Sequence, residues 1–334
     1  MTGPTLGTTT GSPHARILSV GAYRPSRVVV NDELVELIES SDQWIRERSG
    51  IISRRWASAE ESVTDMALAA SQVALDRAGL TAADIDAVLV ATITHPYQTP
   101  SSAALLTHRL GATPAAALDI SAACAGFCYG VGLASDMVRG GSARHVLVVG
   151  VEKLSDFVDP HDRSTAFIFG DGAGAVVVGP SDTPGIGPTV WGSDGSQWDA
   201  IVNKSSWIEY RESGAQWPAL TMAGQSVFRW AVWQMPPIAQ KALAAAGVGV
   251  DDLAAFVPHQ ANMRIIDAMA KQLALPPHVA IGRDIAQAGN TSAASVPLAM
   301  ERLLADGEAS PGGLALLIGF GAGLTYAAQV VVLP

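Results

Sequence analysis

Short apolar runs separated by longer segments of helical periodicity dominate the chain, and the same succession occurs twice. Ala74-Leu-Asp-Arg-Ala-Gly-Leu80 leads to Asp84-Ile-Asp-Ala-Val88; 168 residues later, Ala242-Leu-Ala-Ala-Ala-Gly-Val248 leads to Asp252-Leu-Ala-Ala-Phe256. Each copy predicts a helix stopped by a glycine, then a short loop and a buried strand. A second correspondence follows in the same order. Ser121 to Gly150 runs small-residue turn, helix, glycine stop and apolar strand (146–149). Asn290 to Gly319 repeats it with a strand at 314–318, and the closing glycines lie 169 residues apart. Two matches at nearly one offset predict two similar α/β halves, 14–180 and 219–334. Short apolar strands separated by helices favour mixed sheets covered on both faces.

The stretch 181–218 between the halves is rich in Gly, Ser and Pro, which predicts an irregular connector. Six of the eight tryptophans, Trp191, Trp198, Trp207, Trp217, Trp230 and Trp233, lie within or just beyond it. A connector packed by its own aromatics and a wall over a ligand tunnel are equally compatible with this pattern. Pro236-Pro237 is expected to break the helix that starts near Gln225 and to restart it in its first turn. Residues 1–13 have no apolar core and read as a flexible arm, not a signal peptide or anchor. Residues 312–334 carry no charge and are long enough for a membrane helix. Gly319, Gly321 and Gly323 interrupt them, however, and Thr325, Tyr326 and Gln329 add polarity. Two buried strands, 314–318 and 325–333, fit better.

Composition narrows the class. The 334 residues are 49% hydrophobic and 16% charged, with a net charge of −10. That is enough chain for a sizeable core, and the negative field disfavours nucleic acid as a partner. Two cysteines make neither a disulfide framework nor a zinc site. A reduced, cytoplasmic chain without a membrane segment is expected.

Three short segments carry candidate chemistry. Cys124 lies in Asp119-Ile-Ser-Ala-Ala-Cys-Ala-Gly-Phe127, between a strand end and a helix start, where free N–H groups and the macrodipole favour a thiolate. By itself the motif suits a small buried cysteine at least as well, and Cys128, one turn on, is expected to be of that inert kind. His259 lies in Phe256-Val-Pro-His-Gln-Ala-Asn262, where a strand turns toward a helix. The repeat offset pairs it with Ala91-Thr92, so the imidazole is an addition to the repeated scaffold. Asn290, in Gly289-Asn-Thr-Ser-Ala-Ala-Ser-Val-Pro297, falls near the repeat position of Cys124; alone it reads as a helix cap. The runs Phe169-Gly-Asp-Gly-Ala-Gly174 and Phe320-Gly-Ala-Gly-Leu324 match no dinucleotide or phosphate-loop fingerprint. They suit tight turns, or backbone N–H groups presented to an oxyanion.

Together these three segments, with Trp44-Ile-Arg-Glu-Arg-Ser-Gly50 and Thr165-Ala-Phe-Ile-Phe-Gly-Asp-Gly172, strongly resemble the ketoacyl synthase III family from Arg16 to Pro334. These are the thiolase-fold enzymes that start fatty-acid and polyketide chains. The resemblance implies a thiolase-like fold of two pseudo-equivalent α/β halves in α-β-α-β-α layers. It implies that Cys124 takes an acyl group from acyl-CoA and that malonyl-acyl carrier protein then condenses with it, losing CO2. His259 and Asn290 would stabilise the enolate, and the backbone N–H groups of Cys124 and Ala322 would bind the thioester oxyanion. Trp44 and Arg163 match residues that hold the CoA adenine; Met222, Gly224, Phe228 and Asn262 match the pantetheine tunnel. Arg264 matches a basic residue facing the carrier protein, whereas Arg48 is expected to be a solvated surface side chain. Thr99 stands where acetyl-selective members carry a bulky aromatic, across a dimer interface, so longer or branched starters are expected. A homodimer is implied, and no metal or cofactor, because acyl-CoA is a substrate. The alternatives are a non-decarboxylating acyltransferase on the same fold and a catalytically silent thiol-sensing scaffold.

Overall fold

A computed structural model describes residues 6–214 and 217–334. The first half contains β1 (His14–Tyr23), α1 (Val63–Ala78), β2 (Ala87–Ala91), α2 (Ser102–Leu110), β3 (Ala116–Ile120), α3 (Gly126–Gly140), β4 (Val146–Lys153) and β5 (Asp171–Ser181). The second contains β6 (Val190–Ser193), α4 (Gly224–Ala246), β7 (Leu253–Pro258), α5 (Met263–Gln272), β8 (Ala280–Ile281), α6 (Ser295–Ala305), β9 (Leu314–Gly321) and β10 (Thr325–Val332). Their sheets have the same order, β1-β5-β4-β2-β3 and β6-β10-β9-β7-β8. Pairing within each is parallel from β4 to β3 and from β9 to β8, and antiparallel elsewhere.

The repeat is preserved residue by residue. Ala87 pairs with Val146 and Ala255 with Ala315, partners displaced by 168 and 169 residues. The glycine stops are also as expected: Gly79 and Gly247 end α1 and α4 with left-handed φ of 65° and 71°. A capping box between Ser62 and Asp65 starts α1. All eight residues of β4 are buried, as suits a strand covered on both faces.

Helices α3 and α6 pack between the two sheets, α1 and α2 cover the outer face of the first, and α4 covers that of the second with α5 against it. This is the five-layer α-β-α-β-α arrangement. Phe127, Val131 and Val296 are fully buried in the middle layer, each stabilising the fold by about 1.5–3 kcal/mol. Gly150 is what lets the halves meet closely, because a Cβ there would fall 2.2 Å from the Ala293 carbonyl oxygen.

Four expectations need correction. The second half begins near residue 190 rather than 219, because β6 pairs with β10 as β1 pairs with β5. The connector 181–218 is therefore not irregular throughout; it also holds a strand at Ile201–Asn203 and a helix at Trp207–Ser213. Of the two readings left open for its tryptophans, self-packing fits, since Trp207 and Trp217 stack edge to face, Trp191 packs on Tyr129 and Trp198 is exposed, while Ile201 is the connector residue that reaches the cavity described below. The double proline does not break α4, which runs through Pro236 and Pro237. Pro236 cannot donate to the Val232 carbonyl, and the Gln272 side chain donates to it instead at 2.8 Å. Finally, the arm 1–13, described from Leu6 onward, is held over part of its length. The Ser12 N–H donates to Val138 O (3.1 Å) and Thr9 Oγ1 to Gly140 O (2.6 Å), at the end of α3.

Candidate functional site

The repeat places two equivalent turns face to face where the halves meet. The 3-10 turns Ala123–Ala125 and Ser292–Ala294 precede α3 and α6, and each starts with a non-glycine residue of left-handed φ, 44° at Ala123 and 47° at Ser292. That conformation costs on the order of 1–3 kcal/mol, and the opposed packing of the turns holds both. Cys124 follows the first strained residue.

Cys124, His259 and Asn290 line one cavity of about 740 Å³. The imidazole sits at the end of β7, 2% exposed, with its ring edge on Phe320 at 5.2 Å. Its Nδ1 lies 2.7 Å from Ser295 Oγ, which also accepts from the Gln260 N–H at 3.3 Å. A Ser295 hydroxyl donating to Nδ1 puts the ring proton on Nε2, the nitrogen left for the cavity. Burial pushes the His259 pKa down to about 3, so the ring is neutral at ordinary pH.

Asn290 is held as a parallel β-bridge to Phe169, its N–H donating to Ile168 O (2.9 Å) and its carbonyl accepting from the Gly170 N–H (3.0 Å). Its Oδ1 accepts from the Ser292 N–H at 2.8 Å. That contact fixes the amide orientation and leaves Nδ2 as the group for the cavity.

Cys124 differs from expectation. Its sulfur opens on the cavity and the residue is partly exposed there, yet desolvation pushes the thiol up to about 12, outweighing the Ser292 hydroxyl and the Cys124 backbone N–H, which act in the opposite direction. The helix start therefore does not make a resting thiolate. Cys128 is fully buried, and burial pushes its thiol up to about 12 as well.

Backbone at Gly321 and Ala322 closes the cavity beside Cys124. Toward the mouth, Met222, Gly224 and Phe228 form one wall and Trp44 another. The Arg163 guanidinium lies over the Trp44 ring, 5.0 Å from its centroid, and that of Arg48 lies 5.7 Å from it. Arg48 is exposed as expected, yet it belongs to the cavity mouth. Arg264 lies over the Phe228 ring at 5.3 Å. Asn262 also lines the cavity, but its side chain caps α5 through the Arg264 N–H and donates to Arg48 O, both at 2.9 Å. Thr99 does not line the cavity; it is exposed on the segment before α2.

Sequence reasoning missed Arg229, a further arginine at the mouth, Ser292 in the cavity lining, and two polar residues behind it, Ser295 and Glu152. Glu152 had one visible signal, an acid directly after the apolar run 146–151.

Comparison with known proteins agrees along the whole chain. Residues 118–195 match the family model 3-oxoacyl-[acyl-carrier-protein] synthase III, and residues 243–333 match the model of its C-terminal part. The chain is 59% identical to the beta-ketoacyl-[acyl-carrier-protein] synthase III of Streptomyces glaucescens, over 97% of this chain and 98% of that one. It is 58% identical, with the same coverage, to synthase III 1 of Streptomyces coelicolor. Among solved structures, the priming beta-ketosynthase from the R1128 polyketide biosynthetic pathway superposes with a TM-score of 0.97 at 50% identity, covering 99% of both chains. The 3-oxoacyl-[acyl-carrier-protein] synthase III of Aquifex aeolicus gives 0.88 at 38% identity, covering 95% of this chain and 99% of the other.

Proposed function

The chain belongs to the 3-oxoacyl-[acyl-carrier-protein] synthase III family, and from that premise we propose that it is a priming ketosynthase. Cys124 takes an acyl group from acyl-CoA, and malonyl-acyl carrier protein then condenses with the acyl-enzyme, giving CO2 and a 3-oxoacyl-acyl carrier protein. The observation that carries this reading is the convergence of a thiol, a neutral imidazole and an oriented amide on one cavity.

Each group has a role that fits its chemistry. Sulfur attack on the acyl carbonyl builds negative charge on oxygen. The backbone N–H groups of Cys124 and Ala322 are the donors we assign to it. Loss of CO2 from the malonyl group leaves an enolate and needs no base to remove a carbon-bound proton. It needs donors at the thioester oxygen, and His259 Nε2–H and Asn290 Nδ2–H supply them. The enolate carbon then attacks the Cys124 thioester.

The mouth suits the carriers of both substrates. Trp44 and the Arg163 guanidinium over its ring would hold adenine between them once the arginine gives way, and Met222, Gly224 and Phe228 border the pantetheine path. Asn262 supports that path through its hold on Arg48 O. Arg264 and Arg229 face outward toward an acidic carrier protein. Acyl-CoA is a substrate in this reading, so no cofactor is invoked, and the use of both substrates supports a cytoplasmic location. Among the described residues, no helix is long and apolar enough to cross a membrane.

Acyl-enzyme mass spectrometry tests the reading. Acyl-CoA is expected to add one acyl group to Cys124 and none to Cys128, and carboxyl-labelled malonyl-acyl carrier protein is then expected to release labelled CO2. His259→Ala and Asn290→Ala should each keep acylation while slowing condensation about 100–1000-fold. Acyl transfer without CO2 release would make the protein a simple acyltransferase, and absence of any adduct would defeat the proposal.

A further inference from the structure

Behind Cys124 lies a carboxylate that the reaction above leaves unused. Glu152, on β4, is fully buried. Its Oε2 accepts from Thr92 Oγ1 (3.1 Å), the Ile93 N–H (3.1 Å) and Thr94 Oγ1 (2.6 Å), and its Oε1 accepts from Ser292 Oγ at 3.1 Å. Ser292 and Cys124 line the cavity together, and the Ser292 hydroxyl is near enough to the thiol to bear on its titration. Sulfur, hydroxyl and carboxylate thus lie in sequence where the two halves of the fold meet.

The charges around Glu152 leave it available. Lys153, next along β4, turns its ammonium away to Ser58 O and Asp156. Asp171, on the neighbouring strand β5, spends its carboxylate on Ser155 and the Ala57 N–H. Thr92, Thr94 and Ser292 present hydroxyls, which leaves Cys124 as the titratable group at the end of this series. A fully buried carboxylate held by hydrogen bonds from neutral groups is expensive to keep in a fold.

We propose that Glu152, acting through Ser292, takes up the Cys124 proton as the thioester forms, which makes it a positioning residue for the nucleophile. The proposal rests on Cys124 being the acylated residue. As the Cys124 sulfur bonds the acyl carbon, the thiol proton passes to Ser292 Oγ and the Ser292 hydroxyl proton passes to Glu152 Oε1. The bond from the acyl carbon to the CoA sulfur then breaks, and the departing thiolate takes a proton back over the same two groups. Glu152 ends as a carboxylate, Cys124 as a thioester, and CoA leaves as its thiol. The relay explains how a cysteine without a resting thiolate becomes nucleophilic.

The carboxylate must be ionised to accept, and burial raises Glu152 to about 7. Relay-driven attack therefore rises with pH through about 7 and then levels off. Attack that depends on free ionisation of a thiol near 12 keeps rising tenfold per pH unit.

The test compares full-length wild type, Glu152→Gln and Ser292→Ala from about pH 5.5 to about 9.5, reading Cys124 alkylation by iodoacetamide and acylation by propionyl-CoA. Wild type is expected to level off above about pH 7. Both variants should lose the plateau and react about 100-fold more slowly at about pH 8. Condensation from pre-acylated protein should stay at the wild-type rate. Ser292→Ala leaves Glu152 its three other donors, so it decides the matter if Glu152→Gln does not fold. Wild-type rates and profiles in Ser292→Ala would overturn the proposal. An altered alkylation profile with no acyl adduct in wild type would leave the relay standing and sink the ketosynthase reading instead.

Discussion

At Gly321 the lack of a side chain decides what the Cys124 sulfur has room to do. A Cβ there would lie 2.8 Å from Cys124 Cβ, 3.0 Å from its sulfur and 3.2 Å from its backbone nitrogen. The methyl group would occupy the side of the sulfur where we place the oxyanion. Gly321→Ala is therefore expected to slow Cys124 acylation about 100-fold or more, while circular dichroism shows a folded protein. Acylation at the wild-type rate would remove Gly321 and Ala322 from the proposed oxyanion site. The residues that define the cavity were legible to different degrees. Cys124, His259 and Asn290 stand in short motifs that are each ambiguous alone and become informative only when the three occur together in order. Ser292 and Ser295 are common serines at a helix start, and only the fold shows that one faces a thiol and the other a histidine. Glu152 meets Ser292 across 140 residues of chain, a contact no local pattern encodes. The raised Cys124 pKa was illegible for a related reason. The helix start is a local feature, whereas the desolvation that outweighs it comes from elements far away in sequence.

Among the elements, the repeat was the most legible feature, because its spacing is fixed by sheet register. Residues pairing across β2 and β4 must pair again across β7 and β9, so the offset survives divergence of the side chains. Strand β6 escaped notice: it has four residues, of which Trp191 and Ser193 are exposed, so it shows no apolar run. The unbroken helix α4 escaped for a different reason. Local rules count the hydrogen bond that Pro236 removes, but they do not see a donor from another helix replacing it. This explanation has a test in a double-mutant cycle read by chemical unfolding. With Pro236 present, Gln272→Ala leaves the Val232 carbonyl without its side-chain partner and is expected to cost about 1 kcal/mol. With Pro236→Ala the restored backbone N–H serves that carbonyl, and Gln272→Ala should then cost close to nothing. Equal costs in both backgrounds would mean that the Gln272 contact does not compensate for the proline.

For the whole molecule, charge and edges point outward to partners. The chain carries a net charge of −10, yet Arg48, Arg163, Arg229 and Arg264 gather at the mouth of the cavity. This local reversal of sign draws anionic carriers to the opening while the remaining surface repels them. The opposite side of the first sheet has a different imbalance. Among the described residues strand β3 is an edge, paired with β2 alone; Leu118 on it is 43% exposed, Leu105 on α2 is 40% exposed and Tyr97 is 67% exposed. An apolar, unpaired edge of this kind invites strand addition, and we propose that a second copy of the chain covers it. Thr99 lies in the exposed segment leading into α2, outside the cavity of its own subunit, so any influence on the acyl group has to be exerted in a partner. Two consequences separate this arrangement from a monomer. Leu118→Lys is expected to shift the protein from dimer to monomer in analytical ultracentrifugation, because it places a cation in the middle of the paired edge. Thr99→Phe should leave the dimer intact and move the preference from propionyl- and isobutyryl-CoA toward acetyl-CoA, by about 10–200-fold per methylene excluded. A wild-type monomer, or an unchanged chain-length preference in Thr99→Phe, would show that the acyl pocket is complete within one chain.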